Sequence, residues 1–125
     1  RELPDLALWI PDAMTVCGEA VLAIAVEAGI SLIALGLHAG EWETSELLCL
    51  HPEQVRMERA APGHTGDMDA ALATLIAKGT GALTATGVVG DPRPANADRG
   101  ERYLAAQAAC YEAALRQWLI QTDEA

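Results

Sequence analysis

The sequence predicts an α/β layered fold built on parallel strands, and three observations carry that prediction. Leu6-Ala7-Leu8-Trp9-Ile10 is a short apolar run closed by Pro11, the pattern of a strand buried on both faces. Ile30 to Leu37 is a second continuous apolar run. Between them lies a helix-length stretch that Asp12 can cap at its start, running to about Ala28, with Gly29 placed for a left-handed carboxy-terminal cap. Strand, crossover helix and strand make a unit whose two strands run parallel.

The later elements follow from the same signals. After the polar turn from His38 to Trp42, Thr44 or Ser45 can cap a short helix through Leu47 to Leu50 that stops near Pro52. Arg59 to Gly66 is loop by composition, and Asp67 can cap a helix ending at Gly79. Gly87, Gly90, Asp91, Pro92 and Pro94 mark a turn-rich connection into the last helix. There Leu104, Ala108, Tyr111, Leu115 and Trp118 form one apolar stripe, read as core, while Glu112 and Arg116 pair on another side. Two or three buried strands make a poor parallel sheet by themselves, so partner strands are expected elsewhere.

Length and composition exclude several classes. A chain of 125 residues makes one continuous domain, with no repeat or linker to split it. Eighteen acidic against eight basic residues leave a net charge of −10, which repels phosphate backbones and anionic lipid; nucleic acid is not an expected partner. The most apolar region, Val16 to Leu37, is interrupted by Glu19, Glu27 and Gly29, so no membrane span is expected. Cys17, Cys49 and Cys110 are odd in number and widely spaced, which fits small buried side chains in a reducing cytoplasm better than zinc or a redox pair. No targeting segment is visible, and the chain reads as cut from something longer.

The chemistry concentrates just beyond the second apolar run, at the carboxyl end of a strand, where open α/β sheets place ligands. His38 is followed by Ala39-Gly40, which lets the backbone approach a ligand, and then by Glu41 and Glu43. An imidazole near two carboxylates can move a proton near pH 7. The structural reading weighs equally on the residues alone: Glu43 supports the helix amino terminus and Glu41 is a solvated charge. His51, before Pro52, and His64, in a Gly/Pro-rich loop, are weaker candidates. Gly87-Val88-Val89-Gly90 lacks the lysine or third glycine of a nucleotide loop.

The run His38-Ala39-Gly40-Glu41-Trp42-Glu43-Thr44-Ser45, followed by Leu50-His51-Pro52-Glu53-Gln54-Val55, resembles the His-Ala-Gly-x-x-Glu-Thr-Ser segment of creatininase-family amidohydrolases. Three further stretches match in order: Pro62 to Asp67, Gly87 to Arg93, and Ala97 to Arg102. The resemblance implies the carboxy-terminal half of a mostly parallel sheet flanked by helices, in an enzyme that hydrolyses a carbon–nitrogen amide bond with metal-bound hydroxide. It implies that His38 contacts substrate or passes a proton to the leaving nitrogen, that Glu43 supports it, and that Ala39, Gly40 and Glu41 line the substrate site. Divalent zinc, manganese or iron is implied as cofactor. The ligands for it are expected outside this chain, because the family's Glu-x-His and Asn-Gly-His segments are missing here. An amino-terminal half or second subunit carrying those ligands is the expected partner, in a homo- or hetero-oligomer acting on a small-molecule or peptide amide. Creatininase itself places Trp-Asp-x-Glu immediately before its histidine, where this chain has Ala34 to Leu37, and that departure points away from creatinine and towards peptidase-like or general amidohydrolase members. The alternative is a non-catalytic interaction subunit that keeps the half-fold without the site.

Overall fold

Side-chain and glycine caps set the helix limits in the computed structural model, which describes residues 8–123. Helix α1 (Ala13–Glu27) starts where the Asp12 carboxylate accepts the Thr15 hydroxyl at 2.5 Å and the Thr15 N–H at 3.1 Å. Those bonds, the hydroxyl's first, hold Asp12 below the usual carboxylate range. The helix closes in a Schellman turn: Ile30 N–H returns to the Ala25 carbonyl at 2.9 Å and Gly29 N–H to that of Val26 at 3.0 Å, with Gly29 at φ 71°. Helix α4 (Met68–Lys78) repeats the logic, with Asp67 accepting from Asp69 and Ala70 and Gly79 at its end. Between them lie α2 (Leu32–Leu35), α3 (Glu41–Leu50) and tight turns at Pro52–Gln54 and Met57–Arg59; α5 (Ala97–Asp123) ends the chain's described part.

Helices α1, α3 and α5 form the core, α5 packing against both others. Cys17, Val21 and Ala25, at four-residue steps, bury one stripe of α1, and Tyr103 and Leu35 complete the cluster with Ile24, Ile30 and Trp42 against it. Burial pushes the Cys17 thiol up, in keeping with a packing role. The α3–α5 crossing is close enough that a Cβ on Gly100 would meet the Ser45 carbonyl at 2.0 Å. Helix α4 packs chiefly on the Thr80–Ala82 turn, and its Leu72 faces α1 and α3 across a cavity of about 310 Å³.

The expected parallel sheet is not present among the described residues, which hold helices, turns and two isolated β-bridges. Ile30 to Leu37 is not a strand. The Ser31 hydroxyl accepts the Ala34 N–H at 3.1 Å and starts α2, and Gly36 at φ 79° ends it. A strand buried on both faces needs neighbours on both faces, whereas Leu32 is 64% and Ile33 44% exposed. For the other expected strand, Leu6 and Ala7 lie outside the described residues, and Leu8 to Ile10 has no regular structure. Trp9 instead covers the far end of α5, stacking on Trp118 at 6.3 Å and meeting Tyr111 edge-on at 6.5 Å. The apolar stripe expected on α5 is therefore only partly packed. Its Ala108 and Leu115 are exposed, and the face that meets α3 runs through Gly100, Tyr103 and Gln107, because only that face allows the close crossing. The Glu112–Arg116 pair forms as expected, at 2.7 Å on the surface. No described helix is long and apolar enough to cross a membrane.

Candidate functional site

Val89 is the centre of the arrangement around His38. Its N–H donates to the His38 carbonyl at 2.8 Å, while its own carbonyl accepts from Leu37 at 2.8 Å and His38 at 3.3 Å. On its other side the His64 N–H donates to Val88 and the His64 carbonyl accepts from Gly90, both at 2.9 Å. His38 is thus bridged antiparallel, and His64 parallel, to the same fully buried residue. Strand spacing sets the α-carbons of the two histidines roughly 10 Å apart across this three-segment ribbon. The segments meet without side chains: a Cβ on Gly36 would lie 2.4 Å from the Val89 carbonyl, and one on Gly63 at 1.9 Å from that of Val88.

The ring of His38 is exposed, and its Nδ1 lies 2.8 Å from the Gly87 carbonyl. A carbonyl only accepts, so Nδ1 carries the proton and Nε2 presents a free lone pair outward. The next residue, Ala39, sits at φ 50°, a left-handed conformation that costs a side chain roughly 1 kcal/mol or more. The Glu43 carboxylate accepts the Ala39 N–H and holds that bend. Gly40 caps α3 without a side-chain bond, and Glu43 at the third helical position reaches back as in a capping box. Both Glu41 and Glu43 lie in the first turn, where the helix dipole favours negative charge.

Glu41 lies elsewhere. It is completely buried between α3 and α5, its carboxylate receiving Arg99 Nε at 2.5 Å, Ser45 Oγ at 2.6 Å and the Tyr103 hydroxyl at 2.9 Å. Ser45 Oγ also accepts the Asn96 N–H at 3.0 Å, and Asn96 caps the first turn of α5 by accepting from Arg99. Burial first, then the Glu41 carboxylate, push the Tyr103 phenol well above its ordinary range. Three donors occupy the Glu41 carboxylate, so the structure places it in the joint between two helices and not beside His38. Ala39 and Gly40 remain next to the histidine, in the bend itself.

On the other flank of α3, Glu46 accepts the Trp42 indole N–H at 2.6 Å and a Gln107 amide N–H, and burial pushes its carboxyl up. His51 is exposed beside Glu53, at 3.3 Å. The Nε2 of His64 is buried with no hydrogen-bond partner. Sequence reasoning missed the Gly87 carbonyl, Val89, Arg99 and Tyr103. The available signal was the Gly-Val-Val-Gly stretch, whose short β-prone centre between glycines suits one bridge, and the four-residue Arg99–Tyr103 spacing, which sets both on one helix face. Among the described residues, no three His, Cys, Asp or Glu side chains stand together as a metal site.

The family model for creatininase, creatinine amidohydrolase, matches residues 13–115, a stretch containing the ribbon, the bend and the Glu41 joint. The chain belongs to the creatininase family. Relatives within it include the mycofactocin precursor peptide peptidase of Mycobacterium tuberculosis (strain CDC 1551 / Oshkosh), 38% identical over 86 residues, which is 69% of this chain and 34% of that protein. The protein of the same name from Mycobacterium ulcerans (strain Agy99) is 40% identical over 68 residues, 54% of this chain and 27% of its own. The matched part is therefore about a third of the length of these creatininase-family relatives. No solved structure matches.

Proposed function

We propose that this chain is the histidine-bearing part of a creatininase-family amidohydrolase that cuts a peptide or small-molecule amide bond. The observation that carries the reading is the fixed tautomer of His38: Nδ1–H is committed to the Gly87 carbonyl, and Nε2 is left as the one nitrogen free to exchange a proton. Amide cleavage leaves an amine that departs readily only once its nitrogen is protonated, and an imidazole can take the proton from attacking water and pass it on. The Gly87 carbonyl stabilises the cation formed between those steps, and Glu43 keeps the bend at Ala39 from moving the ring. The described residues do not bring three metal-binding side chains together. The zinc, manganese or iron of such hydrolases belongs, in this reading, to chain or partner beyond the matched third.

The test compares wild type and His38→Ala, each prepared with the polypeptide that co-purifies with the native protein, for hydrolysis of a peptide amide. The change at His38 is expected to lower the rate by about 10²–10⁴-fold with the melting temperature unchanged. An undiminished rate overturns the role of His38. No hydrolysis by any preparation supports the non-catalytic subunit instead.

A further inference from the structure

A cleft of about 430 Å³ opens between α3 and the segment 52–60 on the side of α3 away from the Glu46 cavity, and Ala39 and Val88 line it. Ala39 follows His38, and Val88 follows Gly87, whose carbonyl holds the His38 ring, so the cleft is lined by the sequence neighbours of that pair. Leu47 and Met57 give it apolar walls, and Arg56 and Arg59 line it as well.

Those arginines differ from the other described ones. Arg93, Arg99, Arg102 and Arg116 each meet a carboxylate at 2.5–2.7 Å. Arg56 and Arg59 are exposed and have no ion-pair partner among the described residues, although the chain carries a net charge of −10 and Glu53 and Glu58 lie beside them in sequence. Two uncommitted guanidinium groups at an apolar cleft make a receptor for an anion attached to an apolar body. The planar fork of each suits a carboxylate.

We propose that this cleft receives a carboxylate-bearing, apolar portion of the substrate, with Arg56 and Arg59 holding the carboxylate while the amide lies at His38. The placement of the amide rests on the hydrolytic reading above; the binding of the carboxylate does not. A chain terminus and an acidic side chain both offer this chemistry.

Calorimetric titration of the full chain with N-acetyl-Ala-Leu, its carboxamide, and N-acetyl-Glu-Leu-amide separates these sources. At least one carboxylate probe is expected to bind about tenfold or more tightly than the neutral carboxamide. Which of the two does so names the source. The double variant Arg56→Gln/Arg59→Gln is expected to abolish the preference with an unchanged circular dichroism spectrum, whereas Arg102→Gln/Arg116→Gln, which removes equal charge from surface pairs elsewhere, keeps it. Equal binding of acids and carboxamide, or equal losses in the two variants, overturns the proposal. Carboxylate binding that follows the arginines, with no His38-dependent hydrolysis in any preparation, keeps the cleft and overturns the enzymatic reading. His38-dependent hydrolysis that is indifferent to Arg56 and Arg59 does the reverse.

Discussion

Glu41 and Glu43 sit two residues apart in the first turn of α3 and live in opposite environments. Glu41 faces α5 and is sealed among Arg99, Ser45 and Tyr103 with no exposed surface, whereas Glu43 is exposed and ties down the bend beside His38. Successive helical positions lie about 100° apart, so two residues of separation turn a carboxylate from one flank to nearly the opposite one. The same acidic motif therefore contributes one residue to cohesion and one to the bend beside His38. Substitution separates the two.

The largest effect is expected from Glu41→Ala. It leaves the Arg99 guanidinium in a buried pocket without its counter-charge, and breaking such a pair costs about 3–5 kcal/mol. Chemical denaturation should show that loss, and a variant as stable as wild type would mean that the joint is not structural. Tyr103→Phe is expected to cost about 1.5–3 kcal/mol, the worth of one hydrogen bond to a charged acceptor. It also carries a pH signature. Because the folded state raises the Tyr103 pKa above the unfolded value of about 10, its contribution is complete below that pH and fades as pH climbs above it. Wild type should lose stability above about pH 10 more steeply than Tyr103→Phe, and parallel curves would assign the loss to other groups. The smallest change is expected from Glu43→Ala, about 0.5–2 kcal/mol for a lost cap. In contrast to its neighbour, this variant should lose hydrolysis out of proportion to stability, and equal losses at both positions would erase the distinction between the two glutamates.

What could be read in the sequence was local. Asp12, Gly29, Asp67 and Gly79 mark helix limits because a cap is made within a few residues of itself, and all four act as caps or cap-adjacent turns in the structure. The apolar run before His38 defeated the same reading, since a short unbroken run fits a buried strand or a helix segment equally. In the structure the Ser31 hydroxyl, by capping α2, decides for the helix. The site itself is non-local. His38 is held by Gly87, 49 residues on, and Glu41 by Arg99 and Tyr103, 58 and 62 residues on, so no window around the motif could have shown which carboxylate was buried. Family resemblance supplied His38 as a candidate; only the folded chain shows which of its nitrogens is available.

That availability has a practical side for the choice of a ligand. Since a backbone carbonyl has already claimed Nδ1, an approaching compound meets a lone pair at the outer edge of the ring and should offer it a hydrogen, not another acceptor. The preference is written into the main chain at Gly87, so it is lost only when that backbone moves away from the ring or the histidine is replaced.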